Sequence, residues 1–337
     1  MNLVKPGRLA KGETVGIISP SSPSAARVPR RFERGIQTLE GMGYSIKVGK
    51  NAKKVRGHKA GTISERIEDL HQMFEDKGVR AIITSIGGYN SNELLPLIDY
   101  ELIRKNPKIL CGYSDITALH CGIHSQTGLV VFYGPQILPQ FGDFGGLIPY
   151  TRDGFTRLLQ QPNAPGRIEP SDEYTYERLE WDKDDNRKRG MKKAEGWKML
   201  REGEAEGKLV GGHLGTFCSL IGTKYFPSFD DTIMFWEDTE SSTAETDRLL
   251  AQLRMAGIFD QIQGMIIGRV NPNEYVVNSK ELELHQVILE STRDYDFPII
   301  AEMDFGHTDP MFTIPYGISA KINSQELEFS ILESAVS

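Results

Sequence analysis

A chain of 337 residues exceeds the usual single domain, and 39% hydrophobic with 25% charged residues suits about two ordinary globular domains. Its 39 Lys and Arg against 46 Asp and Glu leave a net charge of −7, and the densest basic cluster, Arg187-Lys188-Arg189 with Lys192-Lys193, is hemmed by acids, so nucleic acid is not expected as a partner. No membrane span is visible, Met1 to Ala10 has no long apolar run after its charges, and Cys111, Cys121 and Cys218 form no C-x-x-C pair, so a cytoplasmic protein with buried, reduced cysteines is expected.

Strands and helices alternate from the start. Val15-Gly16-Ile17-Ile18 reads as a buried strand ending in the polar turn Ser19 to Ser22, and Phe32, Ile36 and Leu39 recur at helical spacing before Gly41 and Gly43. Tyr44 to Val48 alternates as a strand, Ile67, Leu70 and Phe74 mark a helix, and Val79 to Ile86 is again continuous and apolar. Leu94 to Ile98 is a short helix. The run Ile109-Leu110-Cys111 then enters Gly112-Tyr113-Ser114-Asp115 and an amphipathic helix begun by Asp115 to Leu119, and Leu129 to Phe132 is a further strand. Apolar strands separated by helices predict an α/β fold with a parallel sheet of the Rossmann or flavodoxin-like kind, whose functional loops lie beyond the carboxyl ends of the strands.

Pro162 to Glu206 breaks the pattern, being rich in charge with little periodicity, yet it carries Tyr174, Tyr176, Trp181 and Trp197. Aromatic rings are costly to leave in water and suit stacking on a flat ligand, so part of this stretch is expected to cover something. Beyond it, Gly207 to Val210, Ile233 to Trp236, Met265 to Ile267 and Pro298 to Ala301 read as strands. Ala244 to Ala256 reads as a helix opened by the capping-box pair Ser242 and Glu245 and closed at Gly257. Leu327, Phe329 and Ile331 alternate with polar residues, which predicts an antiparallel edge hairpin finishing a mixed sheet. The expected organisation is an N-terminal α/β domain over 1–160, a charged linker or lid loop over 161–205 and a C-terminal β/α domain over 206–337.

Ser114 stands where a nucleophile elbow would hold it, on a sharp strand-to-helix turn with the Asp115 N–H aimed at an oxyanion, although Ile116 replaces the second glycine of G-x-S-x-G. Gly87-Gly88 follows another apolar strand and reads either as a phosphate-binding turn or, through the Gly88 N–H, as the second oxyanion donor. A serine needs a base, and of seven histidines His307 is the one in a strand-end loop, Asp304 to Pro310. Two rival readings make it a turn histidine capped by Asp309, or a metal ligand with Asp304 and Asp309, for which no second histidine or cysteine lies at ligand spacing. Ile233 to Trp236 delivers Glu237 and Asp238 at a strand end, and either could hold the imidazole's tautomer. The serine lies in one half and the acid and base in the other, so the active site is expected between them.

Ile18 to Ser21, Gly87 to Asn92, Gly112 to Asp115, Val210 to Gly212, Phe235 to Asp238 and Phe305 to Pro310, in this order over nearly the whole chain, resemble the serine LD-carboxypeptidase family and, within it, the microcin C immunity peptidases. The resemblance implies Ser114 as nucleophile, His307 as general base, Glu237 as orienting acid and the amides of Gly88 and Asp115 as oxyanion hole. It implies that Trp181 in the polar insertion holds an aromatic nucleotide base, and Asn90 and Ser91 are expected as further substrate contacts. His213 stands where members more usually carry asparagine. A homodimer with no cofactor is also implied, and no metal is expected on the ligand spacing noted above. The expected activity is hydrolysis of an amide bond through an acyl-enzyme, on an aminoacyl-nucleotide of the microcin C type. The alternatives are LD-carboxypeptidase action on cytoplasmic murein tetrapeptide and, from another class, a nucleotide- or sugar-binding module that uses Gly87-Gly88 without catalysis.

Overall fold

The computed structural model describes residues 2–270 and 282–337. In its first part β1 (Thr14–Ile18), β2 (Ser45–Val48), β3 (Val79–Thr84), β4 (Ile109–Gly112) and β5 (Phe132–Tyr133) pair in parallel in the order β2-β1-β3-β4-β5. β1, β3 and β4 are buried almost residue by residue, because helices cover both faces of such a sheet and leave no polar side. The order reverses between β1 and β3, and the loops that follow these two strands open at that switch point, where sheets of this kind bind ligands.

The later described strands are β6 (Gly166–Ile168), β7 (Glu173–Tyr174), β8 (Lys192–Lys193), β9 (Lys198–Arg201), β10 (Glu204–His213), β11 (Thr232–Glu237), β12 (Ile262–Gly268), β13 (Ile299–Met303), β14 (Ile314–Pro315), β15 (Ser319–Asn323) and β16 (Glu328–Ile331). Eight of them form a mixed sheet in the order β6-β16-β15-β10-β11-β12-β13-β9, with β10 to β13 parallel and the flanking pairs antiparallel. β14 crosses back to pair with β5, so the first sheet is completed by the second half of the chain. The α/β class is the one expected, with a first sheet parallel over β1 to β5 and edged by the antiparallel β14, and a second, mixed sheet.

Helix Thr243–Met255 starts at Ser242, whose hydroxyl accepts the Glu245 N–H while the Glu245 carboxylate accepts the Ser242 N–H, the reciprocal cap that the sequence predicts. Three local readings change. Ser114–Ile116 is a turn of 3-10 helix, and the helix behind it, Thr117–Thr127, is buried nearly all round instead of amphipathic, because it lies between the first sheet and the second half of the chain. Leu129 makes only a bridge to Val4, and the strand is Phe132–Tyr133. The β15–β16 hairpin is not an edge, since β6, from the stretch read as aperiodic, pairs with β16 outside it. Cys111, Cys121 and Cys218 are buried free thiols. Among the described residues no helix is long and apolar enough to cross a membrane.

Candidate active site

β4 is buried throughout and delivers Ser114 at its carboxyl end with φ of +63°. Left-handed backbone costs a serine about 1–2 kcal/mol, so the surrounding contacts must enforce it, as at a strand-to-helix elbow. Asp115 supplies part of that enforcement. Its carboxylate accepts the Ser21 hydroxyl at 2.6 Å and the Ser91 N–H at 2.8 Å, while the Ser91 hydroxyl donates to the Asp115 carbonyl at 2.5 Å. The loops after β1 and β3 are thereby tied to the elbow. Burial raises the Asp115 carboxyl's pKa, opposed by these hydrogen bonds.

β11 ends in Glu237, fully buried, and β13 leads into the loop that carries His307. Gly306 in that loop has φ of +93°, and a Cβ there would lie 2.3 Å from Glu237 Cγ, so only glycine lets the loop approach the carboxylate. Glu237 Oε2 accepts the His307 N–H at 3.1 Å and lies 2.7 Å from His307 Nδ1, while His307 Nε2 lies 3.1 Å from Ser114 Oγ. With Nδ1–H donating to the carboxylate, the lone pair on Nε2 faces the serine hydroxyl. Burial alone would raise the Glu237 carboxyl, but the charge of a protonated His307 and its hydrogen bond bring it down to about 2, with Tyr133 adding a further hydrogen bond.

Asp238, the other acid at this strand end, has a different task. Its carboxylate accepts the Thr239 N–H at 2.9 Å, the Ser241 hydroxyl at 3.0 Å and the Thr246 hydroxyl at 3.2 Å, building the turn before the helix. Burial and then the charge of Glu237 push it up to about 6. Asp304 and Asp309, the ligands of the metal reading, are likewise engaged: Asp304 by Ser171, Trp197 and Arg269, Asp309 by Gln140 and Arg189.

Ser114 and His307 open into a cleft of about 680 Å³, lined also by Gly88, Tyr89, Trp181 and His213. The Arg31 guanidinium lies 4.5 Å from the Trp181 ring centroid and is itself held by Asp185 and Asp143 and by the Leu138 carbonyl, so the indole has a rigid backing. Of the four aromatics in the polar stretch, Trp181 and Tyr176 line the cleft, whereas Trp197 is core and donates to Asp304 at 2.8 Å. Asn90 and Ser91, expected as substrate contacts, do not line it: Ser91 is fully buried against Asp115, and Tyr89 and Asn92 face the cleft in their place.

Sequence reasoning missed Tyr133. Its hydroxyl donates to Glu237 Oε1 and accepts the Ser114 N–H, and burial, then the charge of Glu237, raises its pKa far above the ordinary value, which keeps the donating proton in place. A strand-end position one residue beyond the Leu129 to Phe132 run was the available signal. His213 pairs in register with Glu237, caps the following turn by accepting the Thr216 N–H at 3.3 Å on Nδ1, and presents its ring 5.6 Å from that of His307.

Residues 15–134 match the LD-carboxypeptidase N-terminal domain and residues 206–322 the LD-carboxypeptidase C-terminal domain. The chain is 31% identical to the microcin C7 self-immunity protein MccF of Escherichia coli, over 98% of this chain and 96% of that protein. It is 33% identical to a probable murein peptide carboxypeptidase of Bacillus subtilis, over 99% of this chain and 95% of that protein. The solved structure of MccF in complex with aspartyl sulfamoyl adenosine superposes with a TM-score of 0.93 at 31% identity, covering 99% of this chain and 100% of the other.

Proposed function

The chain belongs to the LD-carboxypeptidase family, and we propose that Ser114, His307 and Glu237 are the catalytic triad of a serine hydrolase that cleaves the amide bond of an aminoacyl-nucleotide. The observation that carries this reading is His307 bridging Ser114 at 3.1 Å and Glu237 at 2.7 Å inside a cleft that also presents the backed indole of Trp181.

The Ser114 hydroxyl attacks the carbonyl carbon as His307 Nε2 takes its proton. Glu237 stabilises the resulting imidazolium, and the N–H groups of Gly88 and Asp115 receive the negative oxygen. Collapse of the tetrahedral adduct breaks the C–N bond, His307 returns the proton to the departing nitrogen, and the acyl group stays on Ser114. Water, deprotonated by the same imidazole, then releases the acid. Trp181 supplies a flat apolar face for a nucleobase, a contact worth about 1–3 kcal/mol. The relative MccF has been solved with aspartyl sulfamoyl adenosine, which has the acyl, amide and nucleoside parts this cleft would accommodate.

The likeness to a probable murein peptide carboxypeptidase favours a second reading with the same chemistry, removal of a terminal residue from a murein tetrapeptide. The same proposal includes a cytoplasmic homodimer, with a nucleophile-bearing unit over 1–160, a lid over 161–205 and an acid- and base-bearing unit over 206–337. Incubating the protein separately with aspartyl sulfamoyl adenosine and with murein tetrapeptide, beside Ser114→Ala, and reading products by mass tests the function. Cleavage of the first that vanishes in the variant supports the main reading, and cleavage of the tetrapeptide alone supports the second. Binding of either without cleavage would overturn both in favour of a binding module.

A further inference from the structure

The segment between Ser171 and Trp197 grips the His307 loop at both of its ends. On the near side Asp304 Oδ2 accepts the Ser171 N–H at 2.9 Å and the Trp197 indole N–H at 2.8 Å, while Arg269 donates to Oδ1 at 3.0 Å. On the far side Thr175 and Asp309 exchange backbone hydrogen bonds of 2.6 and 3.3 Å, and the Arg189 guanidinium donates to Asp309 Oδ2 at 2.8 Å. His307 lies between these anchors.

Arg189 is a fork. Its Nε and Nη2 reach Asp143 Oδ2 at 3.0 and 2.9 Å, and Asp143 Oδ1 takes Arg31, the residue behind Trp181. The three side chains are nearly out of water, at 11% exposure for Arg189, 6% for Asp143 and 10% for Asp309. Loss of one partner from such a set leaves a buried charge uncompensated, so the geometry is held stiffly. The Gln140 amide adds a bond to Asp309 Oδ1 at 3.2 Å and touches the Tyr113 hydroxyl at 3.2 Å, and the Tyr113 ring meets the His307 imidazole edge-on at 5.0 Å. Asp309 is therefore a second support for the loop, independent of the carboxylate that the imidazole itself touches.

Resting on the triad reading above, we infer that Arg189 is a positioning residue: by clamping Asp309 to the 171–197 segment it keeps His307 within proton-transfer reach of Ser114. The segment then does more than line the cleft. A change at Arg189 leaves Asp143 paired with Arg31, so the Trp181 shelf survives while the imidazole loses its alignment.

The test compares the unaltered protein with Arg189→Gln, Arg189→Lys and Ser114→Ala, reading the rate at which a fluorophosphonate probe labels the serine and, by calorimetry, the affinity for adenosine monophosphate. Arg189→Gln is expected to slow labelling at least tenfold with the nucleotide affinity held within twofold, and Arg189→Lys, which keeps the charge without the fork, to restore part of the rate. Labelling within twofold of the unaltered protein in a folded Arg189→Gln, or labelling and nucleotide affinity falling in step, overturns the inference. Where thermal melts show Arg189→Gln unfolded, Asp309→Asn is read by the same criteria. An unaltered protein whose Ser114 is not labelled overturns the hydrolase reading itself, and the inference with it.

Discussion

The Tyr133 hydroxyl donates to Glu237 Oε1 at 2.5 Å while accepting the Ser114 N–H at 3.3 Å, so one phenol connects the carboxylate of the second half to the Ser114 backbone in the first. Tyr133→Phe keeps the ring and removes both bonds. It leaves the Glu237 carboxylate a donor short and the Ser114 N–H without its acceptor, a loss of about 1–3 kcal/mol in buried surroundings. Thermal melts should show a drop of several degrees, and kcat should fall about tenfold as the elbow relaxes. An unchanged melt together with an unchanged kcat would make the contact idle.

Glu237→Gln should leave the fold standing and lower kcat by about 10³- to 10⁴-fold with KM little changed, since a neutral amide neither enforces the Nδ1–H tautomer nor stabilises an imidazolium. Steady-state kinetics on whichever substrate is cleaved decides it. Asp238→Asn is the control, because that carboxylate organises a turn and does not touch His307; it should retain kcat within about threefold, well above the loss expected at a triad member.

A Cβ at Gly87 would lie 2.7 Å from Ser114 Cβ and 3.2 Å from the Asp115 nitrogen. Gly87→Ala must therefore displace Ser114 and the Asp115 N–H, the proposed nucleophile and oxyanion donor. Overpacking of this kind costs about 1–3 kcal/mol. Displacing an oxyanion donor costs about 10²- to 10³-fold in kcat. The expected signature is a modest fall in melting temperature beside a severe fall in turnover. Activity above a tenth of the unaltered enzyme's would place the oxyanion site elsewhere.

Acid stability should respond to His213. Burial, with the charge of His307 acting in the same direction against Glu237, lowers its pKa to about 4. The unfolded chain, with an ordinary value near 6.5, takes the proton first, so this stabilisation is complete above about pH 6.5 and is lost as pH falls through about 4. Asp238 acts with opposite sign: raised to about 6 from an ordinary value near 3.8, its contribution is complete below about pH 4 and is lost as pH rises through 6. His213→Asn removes the first effect together with the 3.5 Å contact of His213 Nε2 with Asp238 Oδ1, leaves in place the burial and the Glu237 charge that raise Asp238, and substitutes a side chain that also caps helices well. The urea midpoint at pH 7 minus that at pH 4.5 should therefore be smaller in the variant than in the unaltered protein, or of reversed sign, and an equal or more positive value would reject this role for His213.

Much of the framework was legible because burial writes itself into local pattern. The runs around Val15, Ile82, Leu110 and Met234 carry consecutive apolar residues, as strands covered on both faces require, and Ser242 with Glu245 announced a helix start within four residues. Ser114 was visible as a polar residue placed where such a run ends. Less legible was the stretch from 161 to 205, where β6 and β9 are short strands paired to segments distant in sequence, with too few residues to show a period. The same limit applied to the indoles. Trp181 and Trp197 sit in similar composition, and nothing local says that one lines the cleft while the other is core.

By itself the sequence determined that apolar strands end in loops bearing Ser114, Glu237, Asp238 and His307, because strand burial and turn chemistry are properties of a few consecutive residues. Burial and turn chemistry left Glu237 and Asp238 equivalent and only the family resemblance favoured Glu237; the tertiary structure gives the physical reason, with Glu237 facing the imidazole while Asp238 turns into its own loop. Successive side chains of a strand point to opposite faces, and which face meets His307 depends on how β11 lies between β10 and β12 and on where the loop after β13 returns. Tyr133 and Arg189 were likewise hidden, since the partners that give them meaning lie 104 and 120 residues away along the chain and are brought near only by the packing of the two sheets.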